Sequence, residues 1–378
     1  MDFGIALPSM LDSWKTVKRA EELGLSHAWF YDTQMLSPDI FVAMALAADK
    51  TSRIKLGMGV MVPTNRIAPV AANGLASLNK LAPGRIIFGV GTGFTARNTM
   101  GLGPMRLTEM REYIRVVREL LSGNMVEWEC EGARRKIRFL NPEGFINITD
   151  RIPLHISAFA PKARKLTAEI ADGWMTFSSS APRAIYEAGE LAKSCEALGR
   201  APRSLYRTVF ALGCVLGERE SAASARAKAQ AGPMSVVFLH GLVEATLGLN
   251  LPPEIQPVLE SYRTQHATYQ PADARTCRCT LCIYLACGRK RRNSFPRNLS
   301  RELLLPRPRP NCAIGSARSA KVAMINSSFN SCRDMSPHWK IGCGFSKASE
   351  TGYLTRHEFA GDLRSDLSEF SGDVPSVI

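Results

Sequence analysis

Two neighbouring stretches decide the fold that this sequence predicts: Gly57-Met-Gly-Val-Met-Val-Pro-Thr-Asn-Arg-Ile-Ala-Pro69 and Leu81-Ala-Pro-Gly-Arg-Ile-Ile-Phe-Gly-Val-Gly-Thr-Gly93. Each contains a short apolar run next to glycines, which is typical of a buried strand that leaves a sheet through a tight turn. Similar runs begin at Phe3 and His27, so that the first four strand starts lie 24 to 31 residues apart. This spacing predicts repeated βα units and a parallel sheet.

The alternation is interrupted once and then resumes. Charged residues around Gly132 separate two short strand-like runs, which predicts a β-hairpin insertion at 126–140. Further strands are predicted at Pro153–Ser157, Gly173–Phe177 and Tyr206–Leu216, which makes seven. We therefore predict an α/β fold, a (β/α)8 TIM-type barrel over residues 1–275 whose eighth βα unit is missing or replaced.

The end of the chain has a different composition. Residues 276–378 hold 16 Lys and Arg against 8 Asp and Glu, so that +8 of the formal net charge of +14 falls there, with seven of the ten cysteines. No period of 2 or 3.6 is sustained, which indicates an atypical basic Cys-, Arg- and Ser-rich tail, disordered or out of frame.

Two site types and a membrane location are disfavoured. The spacing of Cys277, Cys279, Cys282 and Cys287 is too irregular for tetrahedral zinc, so we expect no metal site. The basic run at 289–292 lacks interleaved aromatic residues, which argues against nucleic-acid binding.

No run approaches the roughly 18 apolar residues of a spanning helix. Because Met1 leads directly into a strand, we expect a cytoplasmic protein without a signal peptide.

Several short motifs together resemble the luciferase-like monooxygenase superfamily over roughly residues 1–275. They are Pro63-Thr64 followed by Pro69, Ala160-Pro-Lys162 at the start of a helix, and Asp172-Gly-Trp174 after that helix. The superfamily includes bacterial luciferase, flavin-dependent alkane-chain oxygenases and deazaflavin-dependent methylenetetrahydromethanopterin reductases.

The resemblance implies three cofactor-binding segments. The isoalloxazine ring would rest on a bulge at the end of the third strand, at Met58, Gly59 and Val60. Thr92 and Gly93 would lie beside the ring, although a plain strand-exit turn explains them equally well. The cofactor phosphate would bind at Ser157, Ala158, Phe159, Ala160, Pro161 and Lys162, where a helix N-terminus offers unpaired N–H groups and a cation, with Arg164 or Arg97 able to share the role.

Catalytic candidates are fewer. Luciferase carries its catalytic histidine at about the position of Thr33, so that this base is absent here. Asp32, at the end of the second strand, could contact the ring or the substrate. His155 could point into the barrel, although a single strand histidine is more often a hydrogen-bonded core residue.

The expected function is that of a luciferase-like flavoprotein monooxygenase, which uses reduced FMN to insert one oxygen atom into a small organic substrate. The resemblance further implies oxygen as co-substrate, a separate flavin reductase as partner and a homodimer. One alternative is a reductase or dehydrogenase that transfers hydride with the deazaflavin coenzyme F420. Another is a defective, non-catalytic barrel, because a barrel without an eighth strand would expose two unpaired edges.

Overall fold

The computed structural model describes residues 1–140, 144–178, 181–211, 213–243, 255–268 and 323–326. The chain divides into two compact units, Met1–Phe329 and Asn330–Ile378, and every described residue belongs to the first unit. The cysteines and the basic run of the predicted tail lie outside the described residues. No helix in the described part is both long enough and apolar enough to cross a membrane.

Eight parallel strands close into a barrel, which confirms the predicted TIM-type fold. In chain order the strands are β1 (Phe3–Pro8), β2 (His27–Tyr31), β3 (Lys55–Met58), β4 (Ile86–Val90), β5 (Val126–Cys130), β6 (Ala133–Ile137), β7 (Leu154–Ser157), β8 (Gly173–Ser178), β9 (Tyr206–Ala211) and β10 (Ala323–Asn326). β5 and β6 pair only with each other, and the other eight strands form the barrel in chain order. β4 is buried at every position, as expected for a strand covered on both faces. β9 ends at Ala211 rather than at the predicted Leu216.

The helices surround this barrel. Those within the described residues are α1 (Ser13–Glu22), α2 (Ile40–Lys50), α3 (Ala68–Leu81), α4 (Thr95–Asn98), α5 (Leu107–Leu121), α6 (Pro161–Ile170), α7 (Ala181–Glu196), α8 (Ala225–Val243) and α9 (Gln256–Ala267). α5 shows why they form, since Met110, Ile114 and Val117 recur at helical spacing and are all buried. α2 begins at an N-cap, Asp39, whose carboxylate accepts hydrogen bonds from the N–H groups of Phe41 and Val42.

The eighth barrel strand comes from the tail, where no βα unit was expected. β10 pairs with β1 on one side and with β9 on the other, so that Ile325 lies opposite both Ile5 and Ala211. The expectation of an open barrel with two unpaired edges is therefore wrong, and the eighth strand is replaced by a tail segment rather than missing. Four residues between polar and basic neighbours are too few to give a periodic signal.

The predicted insertion at 126–140 contains a regular hairpin. β5 and β6 are antiparallel, and Glu129 lies opposite Arg134. The two residues that join them, Glu131 and Gly132, both have positive φ, at 53° and 70°. Positive φ at both positions is the requirement of a type I′ turn, which joins two strands directly.

Two apolar cores are separated by the barrel wall. The larger core lies between the strands and the surrounding helices. A smaller one fills the barrel interior and consists of Ala6, Trp29, Ile87, Met175 and Phe210, with partly buried residues of β2, β8 and β9 and Val60 packed against it. Alternation along each strand produces this division, because successive side chains point to opposite faces.

Candidate functional site

The main chain that follows β3 crosses the carboxyl-terminal mouth of the barrel. The Gly59 N–H donates to the carbonyl of Phe30 in β2 at 2.7 Å, and the Met61 N–H donates to the carbonyl of Gly89 in β4 at 2.8 Å. The peptide bond between Gly59 and Val60 is cis. Both neighbouring strands therefore hold this segment in place.

Val60 stands between these two anchored residues. Neither its N–H nor its carbonyl has a hydrogen-bond partner in the part of the chain that the structure describes. The residue is half-buried, and its side chain packs against the barrel interior. Because backbone polar groups away from bulk water require partners, the Val60 main chain is suited to receive a ligand.

Three glycines of the fourth strand and its exit allow this close packing. A Cβ atom on Gly89 would lie 1.7 Å from the Met58 carbonyl oxygen, and one on Gly91 would lie 2.9 Å from Cγ2 of Val60. Gly93 has φ of +79°, a conformation that residues with a side chain rarely adopt. Only glycine therefore lets β4 approach the segment after β3 this closely.

The loop after β7 lies beside this segment. A Cβ atom on Gly91 would lie 3.4 Å from Cβ of Ser157, so that Val60, Gly91 and Ser157 are neighbours at the mouth. The Ala158 N–H donates to the Met175 carbonyl at 3.1 Å, and the indole N–H of Trp174 donates to the Ala158 carbonyl at 2.8 Å. β8 therefore fixes the first half of the loop.

The second half of the loop opens α6. Ala160 is the N-cap, Pro161 is the first helical residue and no side chain caps the helix. Ala160, Pro161 and Lys162 are exposed, whereas Arg164 is buried and its guanidinium donates to the Phe159 carbonyl. The helix therefore begins with uncapped N–H groups beside the exposed cation of Lys162, while Arg164 holds the loop.

A row of three aromatic rings lines the mouth from β7 to β9. Phe159 stacks on Phe177 with 6.2 Å between ring centroids, and Phe177 stacks on Phe210 at 5.0 Å. Phe210 in turn meets the edge of Trp29 at 5.8 Å. A Cβ atom on Gly59 would lie 3.3 Å from the Phe210 ring, which places this apolar wall next to the segment after β3.

Asp32 lies at the rim, but its carboxylate is fully engaged. Oδ2 accepts hydrogen bonds from the Val62 N–H at 3.3 Å and from Nδ2 of Asn65 at 3.2 Å. Nη1 of Arg66 lies 3.1 Å from Oδ1 and 3.0 Å from Oδ2. Burial raises the pKa of Asp32, and Arg66 and the other donors oppose that rise. The structure therefore shows Asp32 as an anchor for the β3–α3 connection.

His155 lies lower in the barrel, away from the mouth. Its ring is buried between Trp29 and Tyr206, with ring centroids 5.6 Å and 5.5 Å away, and a Cβ atom on Gly173 would lie 2.5 Å from it. Burial lowers the pKa of His155 to about 3, and the positive charge of neighbouring His27 and Lys55 adds to the effect. The structure does not bring His155 together with Asp32.

The predicted cofactor segments do meet at the mouth, with one exception. Val60 and Ser157 lie around Gly91, which was not among the predicted site residues, and Gly93 packs against Val62 and Arg97. Thr92 is half-buried beside them. The exception is the Met58 side chain, which is fully buried in the outer core between strands and helices, so that only its main chain is near the mouth.

Sequence reasoning missed the partners of Asp32 and two aromatic residues. Asn65 and Arg66 follow Asp32 by more than thirty positions, and no local pattern pairs residues so far apart. Phe177 and Phe210 could have been found, because both continue the inward-facing alternation of predicted strands to the carboxyl end.

Comparison with known proteins gives a consistent picture. A family model described as luciferase-like monooxygenase matches residues 12–278. The chain is similar to a 5,10-methylenetetrahydromethanopterin reductase of Methanolobus tindarius, with 30% identity over 235 residues that cover 61% of this chain and 69% of the relative. It is also similar to an F420-dependent glucose-6-phosphate dehydrogenase of Nakamurella multipartita, with 35% identity over 140 residues, 35% of this chain and 40% of the relative.

A solved structure agrees with the barrel. The oxygenating constituent of 3,6-diketocamphane monooxygenase of Pseudomonas putida, a type II Baeyer-Villiger monooxygenase in complex with FMN, superposes with a TM-score of 0.52. The match covers 71% of this chain and 79% of that chain at 16% identity. At this identity the likeness shows a shared fold.

Proposed function

Because the chain belongs to the luciferase-like monooxygenase family, we propose that it is an oxidoreductase whose barrel mouth holds the flat ring of a flavin or deazaflavin against Gly59 and Val60. The observation that carries this proposal is the unpaired main chain of Val60 between two anchored neighbours. A residue without a side chain at position 59 leaves a flat surface for the ring, and the free N–H and carbonyl of Val60 can bond to its polar edge.

The charged tail of the cofactor would lie along the loop after β7. Ser157 adjoins Gly91 and Val60, and the exposed start of α6 follows within five residues. Uncapped N–H groups at a helix N-terminus bind phosphate, and Lys162 adds a cation. The two ends of one cofactor can therefore be held by the ends of β3 and β7, which flank β4 in the barrel.

Of the two cofactors expected for the family, we favour the deazaflavin. The corresponding reaction is a hydride transfer to an organic acceptor. One sequence relative is named an F420-dependent dehydrogenase and the other a reductase. When bound, a reduced deazaflavin supplies a hydride. The chain's own residues orient the ring and exclude water. Asp32 is held by Arg66 and His155 lies below the mouth, so neither is placed as a free base for the oxidation of an alcohol, which supports the reductive direction.

Monooxygenation with reduced FMN is the second candidate. Its support is the Pro63-Thr64 pair, one of the motifs that resemble the luciferase-like monooxygenases. In the structure this pair begins a 3-10 turn, Pro63–Asn65, which directly follows the segment that would carry the ring. Oxygen chemistry would need an apolar, water-poor mouth, and the Phe159, Phe177 and Phe210 wall offers one. A separate flavin reductase and a homodimer belong to this candidate; light scattering of the purified chain would test the homodimer.

Cofactor titration tests the proposal. Purified wild-type protein is titrated with F420 and with FMN while cofactor absorbance and fluorescence are recorded, and we expect saturable binding of F420 with weaker or no binding of FMN. Gly91→Ala would push its new Cβ against Val60, and we expect a loss of affinity of roughly tenfold or more, about 1.4 kcal/mol.

The matched control is Gly189→Ala in α7, where a Cβ atom meets nothing within 4 Å. Wild-type affinity is expected for this variant. Tighter binding of FMN than of F420 would reverse the order of the two candidates. Binding of neither cofactor to folded wild-type protein would refute both and favour the non-catalytic barrel.

A further inference from the structure

Arg66 joins two acidic residues that stand at opposite ends of the connection between β2 and α2. Its Nη1 contacts both oxygens of Asp32 at 3.1 Å and 3.0 Å, and its Nη2 donates to Asp39. The guanidinium carbon also lies 4.9 Å from the centroid of the Phe41 ring. We name Asp32, Asn65, Arg66 and Asp39 the Arg66 clamp.

The clamp is largely withdrawn from water. The side chains of Asp32 and Arg66 are 3% and 14% exposed, whereas that of Asp39 is 47% exposed. Burial alone would raise the pKa of Asp39, but the hydrogen bond and charge of Arg66 outweigh it and the pKa is lowered. A carboxylate as buried as that of Asp32 is costly without a counter-charge, and Arg66 supplies that counter-charge.

Three donors from one short stretch converge on Asp32: the Val62 N–H, Nδ2 of Asn65 and Nη1 of Arg66. Asn65 also donates to Oε1 of Gln34 at 2.8 Å, and Gln34 donates to the Ala96 carbonyl. The clamp therefore shapes the connection from β3 to α3 and ties it to the end of β2 and, through Gln34, to α4.

We infer that Arg66 is a positioning residue for cofactor binding, which holds the Val60 main chain at the mouth through Asp32 and the Val62 N–H. Val62 is two residues from Val60, so that a shift of the Asp32 carboxylate moves the end of the ring-bearing segment. The inference rests on the proposed function, because it assigns a cofactor to Val60. Arg66 itself touches no reacting atom.

The central experiment compares variants that break the clamp with one that breaks a similar ion pair elsewhere. Arg66→Lys keeps the charge but loses the planar fork that reaches both acids. Asp39→Asn removes only the charge of Asp39, the more exposed of the two acids that Arg66 contacts. The control is Arg183→Lys on α7, whose Nε donates at 2.8 Å to the buried carboxylate of Glu187.

For each variant, the dissociation constant for F420, the absorbance spectrum of the bound cofactor and the melting temperature are measured. We expect Arg66→Lys to weaken binding roughly tenfold and to shift the bound spectrum, and Asp39→Asn to weaken it about threefold. Arg183→Lys is expected to lower the melting temperature and leave affinity and spectrum unchanged. Wild-type affinity and spectrum in folded Arg66→Lys would overturn the inference.

A second measurement does not depend on the cofactor. Hydrogen exchange followed by mass spectrometry on the cofactor-free chain reports the Val62 amide, which the clamp protects. Peptides covering residues 59–66 are expected to exchange about tenfold faster in Arg66→Lys and Asp39→Asn, and at the wild-type rate in Arg183→Lys. Unchanged exchange in both clamp variants would refute the inference. If wild-type protein binds no cofactor, the proposed function fails and the exchange result alone decides whether the clamp holds this segment.

Discussion

The lower and upper halves of the barrel interior use glycine for opposite purposes. In the lower half two glycines are covered by rings: a Cβ atom on Gly57 would lie 2.5 Å from Trp29, and one on Gly173 would lie 2.5 Å from His155. In the upper half, a Cβ atom on Gly91 would instead meet Cγ2 of Val60, the residue whose main chain is unpaired among the described residues.

This difference separates packing from binding. In the lower half, rings packed against glycines fill the space at high density. The polar side chains of this region, His27 and His155, are buried there. At the mouth, by contrast, hydrogen bonds to neighbouring strands hold the main chain at Gly59 and Met61, and the polar groups of Val60 between them remain available to a ligand. TIM barrels in general keep their active sites at the carboxyl-terminal face and use the opposite face for stability.

The largest expected effect comes from Gly89, where the two halves meet. Gly89→Ala would place a Cβ atom 1.7 Å from the backbone carbonyl oxygen of Met58, and backbone cannot turn away as a flexible side chain can. We expect a loss of about 3 kcal/mol or more in the free energy of unfolding, measured by urea denaturation. A loss below about 1 kcal/mol would show that the strands are not packed as closely as described.

Gly173→Ala tests the lower half separately. Its Cβ atom would meet the His155 ring, and we expect a loss of about 2 kcal/mol in unfolding free energy with unchanged cofactor affinity. In a His155→Ala background the same substitution is expected to cost much less, because the obstructing ring is gone. Additive costs in the double variant would show that the two residues are not packing partners.

A smaller effect is expected from pH. Burial lowers the pKa of His155 to about 3, whereas an unfolded chain binds a proton at histidine near pH 6.5. Below about pH 6.5 the unfolded state therefore binds more protons, and stability falls as the pH decreases towards 3. His27, whose pKa burial lowers to about 4, contributes in the same direction.

Urea denaturation of wild type and His155→Gln at pH 7 and pH 5 measures this difference. The variant is less stable at pH 7 because its packing is altered, but it should lose less stability on acidification. Equal losses in the two proteins would mean that His155 is not held neutral in the barrel interior.

Much of the fold could be predicted from sequence because repeated βα units leave periodic signals. β1, β2, β4 and β8 lie where alternation and spacing placed them. β10 could not be found, since four residues in a non-periodic basic segment carry no pattern, and its pairing with β1 and β9 is a long-range contact.

The site was predictable in part, through motifs that resemble the luciferase-like superfamily. That resemblance implied the segments at Val60 and Ser157, and the structure brings the two together because the strand ends of a parallel barrel meet at one mouth. The role of Asp32 could not be inferred, because it depends on Arg66, which only the folded chain brings within reach. His155 does face the interior, but its height in the barrel depends on the register between β7 and β8.

The most direct test of the account observes Val60 itself. Protein labelled with 15N-valine is titrated with F420, and with FMN if F420 does not bind, while amide resonances are followed by NMR. We predict that the Val60 amide shifts in proportion to cofactor occupancy, whereas Val17 in α1 and Val117 in α5, buried in the outer core, do not move. Saturable cofactor binding that leaves the Val60 amide unshifted would contradict the central claim.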